Sequence, residues 1–290
     1  MYHDGELEMQ RRAGVTDLAS RVGRIIGDEL TAQAAAFIAA RQFVIIATVD
    51  SSGAPHASLL IGAPGFAHAI DPHTLVIELS SRASRGLRAG GAAGDGIAHR
   101  TPGSLATLGM TGLLAIDFPN KRRMRVNGRA SMDGDTITIV TSEVYSNCPQ
   151  YISANPSAPA RDSWQEWVAG ADTFFIASVH PVRGADASHR GGPRGFVRIE
   201  SPTRLVWPDY SGNNMFNTLG NVTIEPRSAL LFVDFASGAT LELRGRATVR
   251  GDTEREVAFD VDEVSRTAAE SLSGTPLPDS KATPDDRDRR

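Results

Sequence analysis

Two short stretches concentrate side chains able to hold an anion. The first, Asp186-Ala-Ser-His-Arg-Gly-Gly192, offers a hydroxyl on Ser188, an imidazole on His189 and a planar guanidinium on Arg190. The second, Pro208-Asp-Tyr-Ser-Gly-Asn-Asn-Met-Phe-Asn-Thr-Leu-Gly-Asn221, adds carboxamides on Asn213 and Asn214 and backbone amides around Gly212. Hydroxyls, guanidinium and clustered N–H groups are the donors a phosphate accepts from, and carboxamides also read the edge of a heteroaromatic ring. Such a set suits an anionic cofactor better than a metal. Residue type alone also fits plain turns, since Gly191-Gly192 and Gly212-Asn213 are ordinary turn formers.

Other chemistry finds less support. The seven histidines, His3, His56, His68, His73, His99, His180 and His189, show no His-x-x-x-His or Cys/His spacing, so no metal site is expected. Cys148 precedes Pro149 at an expected helix start and reads as structural. Gly90-Gly91 and Gly191-Gly192 do not open a helix after a strand, as a dinucleotide fingerprint requires. By type and position His189 and Tyr210 are the candidates for proton chemistry, and no catalytic residue can be named.

The elements that must carry these stretches are mostly strands. Residues 1–42 hold apolar positions three or four apart, from Leu18 through Leu30 to the Ala-rich run at Ala34, and read as a helical segment. From Phe43-Val-Ile-Ile-Ala-Thr-Val49 onward, β-branched runs separated by turns predict a first β-unit over 43–142 and a second over 173–265. The intervening 143–172 reads as a helical or irregular bridge, with Trp164 and Trp167 expected to pack between the units. The Pro-, Asp- and Arg-rich 266–290 reads as a disordered tail.

The two units repeat one another. Phe43-Val-Ile-Ile-Ala-Thr-Val49 matches Phe174-Phe-Ile-Ala-Ser-Val179, with Ala47 and Ala177 lying 130 residues apart. Ala115-Ile-Asp-Phe118 matches Phe232-Val-Asp-Phe235, and Arg125-Val-Asn-Gly-Arg-Ala130 matches Glu242-Leu-Arg-Gly-Arg-Ala247, both at an offset of 117. The shorter offset places 13 extra residues in the first copy, most simply in the Gly/Ala-rich 89–104.

Bulk composition sets the setting. In 290 residues, 30 Lys and Arg against 34 Asp and Glu leave a charge of −4, with no excess to draw the chain onto nucleic acid or an anionic bilayer. The longest apolar run is far short of a membrane span, and the charged N-terminus lacks a secretory signal. One cysteine forms no internal disulfide. A cytoplasmic protein is the expectation.

The whole pattern resembles the flavin-binding split-barrel proteins of the pyridoxamine 5′-phosphate oxidase type, in their longer tandem form. The resemblance runs over residues 1–265. It rests on Tyr2-His-Asp-Gly-Glu6, on Asn147-Cys-Pro-Gln-Tyr-Ile152, on Asp186-x-Ser-His-Arg-Gly-Gly192 with Gly195-Phe-Val197, and on Gly212-Asn-Asn-x-Phe-Asn-Thr-Leu-Gly-Asn221. It implies a mainly β fold with flanking helices, an α+β arrangement of two tandem split β-barrel domains. It also implies an FMN whose phosphate is held by Ser188 and Arg190 from one strand and by Asn213 and Asn214 after a neighbouring one. Trp207, Pro208 and Asp209 would then run along the isoalloxazine, with Asn221 at the rim. Where an Arg-Lys pair is usual this chain has Asn213-Asn214, so the phosphate must lean on Arg190 or on a residue from the other copy. Ser80-Ser-Arg-Ala-Ser-Arg85 is the nearest counterpart cluster in the first copy, which is expected to supply a wall and no second flavin.

The function so implied is an FMN-dependent oxidoreductase acting on a small molecule, with a nicotinamide as possible electron donor and a homodimer as the family habit. The flavin carries the redox chemistry, which accounts for the lack of an outstanding acid or base. A deazaflavin fits much of the same residue set. A different class is a non-enzymatic flavin- or haem-binding protein of the same fold, haem requiring an axial ligand such as His189 or His180. A third is an interaction domain whose polar cluster binds nothing.

Overall fold

The computed structural model describes residues 2–79, 99–100, 108–252 and 254–267. The tail beyond 267, the 80–85 cluster and nearly all of the segment expected to hold the extra 13 residues lie outside them.

The N-terminal segment forms three helices, α1 (Asp4–Arg12), α2 (Thr16–Val22) and α3 (Ala32–Ala39). α1 starts with a reciprocal cap: the His3 side chain accepts from the Gly5 N–H, and the Glu6 carboxylate accepts from the His3 N–H at 2.8 Å. Asp4 and Glu6 in its first turn and Arg11 and Arg12 in its last match the helix dipole.

The first sheet comprises β1 (Phe43–Val49), β2 (Pro55–Ile61), β3 (Ala67–Asp71), β4 (Thr74–Glu78), β5 (His99–Arg100), β6 (Met110–Asp117), β7 (Arg122–Asp133) and β8 (Thr136–Ser146), in the order β3-β4-β8-β7-β6-β1-β2-β5. After α4 (Trp164–Gly170), the second comprises β9 (Thr173–His180), β10 (Gly184–Gly191), β11 (Arg198–Ser201), β12 (Arg204–Pro208), β13 (Arg227–Val233), β14 (Thr240–Arg250) and β15 (Glu256–Thr267). Its order, β11-β12-β15-β14-β13-β9-β10, is that of the first sheet without β5. Every described pairing is antiparallel. The protein is mainly β, two tandem split barrels with flanking helices.

Register repeats along with order. Ala47 pairs with Ala57 and Ala177 with Ala187; Leu113 pairs with Val126 and Leu230 with Leu243. Both long hairpins bulge at the same place, between Asn127 and Gly128 and between Arg244 and Gly245. A Cβ at Gly128 would lie 2.1 Å from the Val140 carbonyl oxygen, and one at Gly245 would lie 1.9 Å from that of Asp260. The shared Gly-Arg-Ala thus records a bulge that brings two backbones together.

Strand alternation divides the interior into three cores. Val44 and Ile46 of β1 face the first barrel's interior, while Phe43, Ile45 and Ala47 face the other barrel. Phe174 and Ile176 of β9 do the same for the second barrel, with Phe175 and Ala177 meeting β1 across the interface. Both faces of these strands are buried, which explains their unbroken apolar runs.

Asp186–Gly191 lies in β10, where it pairs in full register with β9, a strand position as the resemblance implied for Ser188 and Arg190. Three local expectations need correction. The second polar stretch, expected within a run of strands and turns, contains α5 (Asn217–Ile224). Tyr145 belongs to β8, and no helix starts at Cys148; the bridge's helix is α4 alone. Trp164 and Trp167 join the second barrel's core and do not pack between the copies.

Candidate functional site

One open cleft collects polar side chains from both barrels. β7 sends in Arg123 and Arg125; the segment after β8 adds Asn147, Gln150 and Tyr151; β10 supplies Ser188, His189 and Arg190. Pro208 ends β12, Asp209, Tyr210, Gly212, Asn213 and Asn214 follow it, and Phe216 caps α5, whose first residues Asn217 to Leu219 join the lining. Eight of the ten residues expected at the cofactor site therefore meet: Ser188, His189, Arg190, Pro208, Asp209, Gly212, Asn213 and Asn214. Trp207 does not line the cleft: it is 1% exposed, edge-on to Phe174 in the second barrel's core. Asn221 lies one turn further along α5, donating to the Ser178 hydroxyl at 3.0 Å.

The floor is a convergence of guanidiniums. Arg125 donates to the Asp186 carboxylate at 3.0 Å, to the Tyr145 hydroxyl at 3.2 Å, and to Ser188 and Asn217. Arg190 donates to the Ser188 hydroxyl at 2.7 Å. Asp186, Ser188 and Arg190 reach this shared network because alternate residues of β10 point the same way. Among the described residues, neither Arg123 nor Arg190 has a carboxylate within ion-pair distance. Burial and the charges of Arg125 and Arg190 pull the Arg123 guanidinium down to about 9, so it stays protonated at neutral pH. Burial lowers Arg190 too, with Asp209 opposing the shift.

His189 is locked. Its Nδ1 lies 3.1 Å from Arg123 Nη1, and because an arginine only donates, Nδ1 accepts and Nε2 carries the proton. That N–H donates to Thr173 Oγ1 at 2.6 Å. Burial, then Arg123 and Arg190, hold the imidazole pKa well below 6.5. His189 thus orients Arg123, with both ring nitrogens engaged.

Four buried polar atoms around the cleft lack a partner: Arg123 Nε, Arg125 Nε, Asn147 Nδ2 and Thr218 Oγ1. No side chain caps the first turn of α5, so its amide groups also open there. An anion seated on this floor would accept from guanidinium, hydroxyl and helix-end donors at once. Desolvated donors without acceptors are costly, about 1–3 kcal/mol each, and a ligand that accepts from them recovers that cost.

The mouth differs in character. Tyr151 and Tyr210 stack at 4.6 Å with 15° between their planes, and Arg255 lies over the Phe216 ring at 4.9 Å. Asn213 donates to Asn147 Oδ1 at 2.7 Å, joining the two polar loops. Tyr151, Asn214 and Phe216 all adopt φ of 60°, a left-handed backbone that L-residues take at a cost. The site thus combines a cationic floor with an aromatic and carboxamide rim.

Sequence reasoning missed Arg123, Arg125, Thr218 and Tyr151. The matched block did contain a signal, since Arg125 stands opposite Glu242 in two otherwise similar strands.

Residues 160–289 match the family described as pyridoxamine 5′-phosphate oxidase. The matched region takes in the whole of the second barrel. No curated protein matches. Among solved structures, the chain is similar to Group A Streptococcus HupZ, at 13% identity over 37% of this chain and 95% of that one, with a TM-score of 0.29. It is also similar to a conserved protein of unknown function from Corynebacterium diphtheriae, at 17% identity over 38% and 96% of the two chains, TM-score 0.30. A Clostridium acetobutylicum protein of the pyridoxinephosphate oxidase family aligns at 10% identity over 34% and 80%, TM-score 0.26. Within the oxidase-like fold, the cleft draws Arg123 and Arg125 from the first barrel and most of its remaining wall from the matched region.

Proposed function

We propose that the chain binds FMN in the cleft between its barrels and acts as a flavin-dependent oxidoreductase on a small molecule. The observation that carries this reading is a floor of three guanidiniums, two of them with a buried unpartnered Nε–H, beside the unpartnered Asn147 Nδ2 and Thr218 Oγ1. Arg123, Arg125, Arg190, Ser188 and Thr218 would hold the phosphate. Asn147, Asn213 and Asn214 would face polar edges, and Tyr151 and Tyr210 would flank the mouth. The bound flavin would supply two-electron chemistry, and the chain's residues orient it and limit access of water.

The donor set favours a phosphate-bearing flavin over haem. His189 has both ring nitrogens engaged, and His180 Nδ1 accepts from the Val182 and Arg183 amides away from the cleft. FMN is our choice over a deazaflavin because the resemblance names it, and a cytoplasmic setting and nicotinamide donor accompany that choice. The test is the absorption spectrum of the purified protein, with mass identification of the released chromophore, followed by titration with FMN and riboflavin. Flavin bands and a strong preference for FMN are expected; equal affinity for riboflavin would defeat the phosphate assignment.

A further inference from the structure

The N-terminal helix reaches the cleft from behind. Helices α1 and α5 cross with backbones in contact: a Cβ on Gly5 would lie 2.1 Å from the Gly220 carbonyl oxygen, and one on Gly220 would lie 2.6 Å from the Glu6 nitrogen. This approach brings Glu6, 4% exposed, onto Asn217 at the start of α5. Asn217 Nδ2 donates to Glu6 Oε1 at 2.9 Å. The other end of the same amide, Oδ1, accepts from the Tyr145 hydroxyl at 2.9 Å and from Arg125 Nη1.

We propose that Glu6 is a positioning residue for the anion site, fixing the Asn217 amide so that its oxygen holds the Arg125 guanidinium; this rests on the cleft being the ligand site. The argument is one of donor and acceptor inventory. Arginine only donates, and both Glu6 oxygens accept from N–H groups, so Asn217 has one satisfactory orientation between them. A glutamine at position 6 would still use its oxygen to cap α1 through the His3 N–H. Its amino group would then face the Asn217 amino group, two donors opposed. Turning Asn217 over relieves that clash but aims its amino group at Arg125. Turned over, Asn217 deprives Arg125 of an acceptor that keeps its fork beside Ser188; unturned, the opposed donors push the amide out of place and loosen the same bond.

The test is a double-mutant cycle on the full chain, using FMN as the probe and thermal melting as the folding control. Glu6→Gln is expected to weaken FMN binding by about tenfold, equivalent to roughly 1.4 kcal/mol, with the protein still folded. In an Arg125→Met background it is expected to add almost nothing, because the group it positions is gone. Asn217→Ala provides a second route, and Glu6→Gln should again add little to it. Full additivity in both backgrounds, or no effect of Glu6→Gln alone, overturns the proposal. Should the wild-type chain take no FMN, the cofactor reading falls separately and the cycle is read in the free protein. There the Arg125 Nε–H resonance, identified by its loss in Arg125→Met, is expected to shift and exchange faster in Glu6→Gln; an unmoved resonance overturns the positioning role.

Discussion

Glu242 on β14 stands where Arg125 stands on β7, 117 residues earlier, and reverses its charge. Each reaches across to the other barrel. Arg125 meets Asp186 on β10 at 3.0 Å, while Glu242 meets His56, 130 residues before Asp186, on β2 at 3.5 Å. The repeat thus preserves a contact between barrels and inverts its polarity. The other cations are lost as well: Arg123 corresponds to Thr240, and Arg190 to Leu60. Arg244, the counterpart of Asn127, is engaged by Glu263. Glu242 is 3% exposed and accepts from the Ala57 N–H at 2.9 Å, so a buried carboxylate fills the counterpart of the anion floor. Calorimetric titration is therefore expected to saturate at one FMN per chain, and two equivalents would show that the charge reversal does not close the second place.

Arg123 makes the most selective probe of the floor. It has no carboxylate partner among the described residues, and its neighbours Arg125 and Arg190 repel it. Arg123→Met should weaken FMN by about tenfold to a hundredfold, the worth of one charge-assisted bond. Riboflavin, lacking the phosphate, should bind the variant as it binds the wild type. The ligand-free variant should melt near the wild type, because relief of repulsion is offset by the lost bond to the buried His189 Nδ1. Equal losses for FMN and riboflavin would place Arg123 away from the phosphate.

The repeat was legible because its carriers are local. Strand periodicity, the two Asp-Phe pairs and the bulge glycines Gly128 and Gly245 leave marks in sequence order. The site was legible only in its second-barrel part. Ser188 and Arg190 sit beside each other on one strand, whereas Arg123 and Arg125 arrive from a strand 65 residues before Arg190 through a packing of barrels that no local pattern encodes. α5 went unread because its first residues, Asn217, Thr218, Leu219 and Gly220, are weak helix formers apart from Leu219. Its place is set by tertiary contact with α1, and its entry by the left-handed Phe216.

His189 should show its locked state through pH. Its unfolded pKa is about 6.5, and the folded value lies well below. As pH falls through about 6.5, the unfolded chain takes up a proton that the folded chain refuses. Stability is therefore fully present above that pH and declines below it. His189→Gln keeps an acceptor for Arg123 and a donor for Thr173, so FMN affinity should stay near wild type while acid destabilisation between about pH 7 and 5 lessens. His3 and His180, also lowered by burial, contribute with the same sign, and His56, raised by its bond to Glu242, with the opposite one. Denaturant titrations across that range check the difference. A variant that binds FMN normally but loses turnover would return His189 to the chemistry.

The cleft joins Arg123 and Arg125 of the first barrel to Ser188, His189 and Arg190 of the second. β1, β2 and β6 of the first barrel pack on β9, β10 and β13 of the second through a shared apolar core. Within one chain Arg123 and Arg125 already reach His189 and Ser188. FMN affinity should accordingly be independent of protein concentration across any range in which sedimentation detects self-association. An affinity that falls as the protein is diluted into monomers would mean that a second copy supplies part of the site.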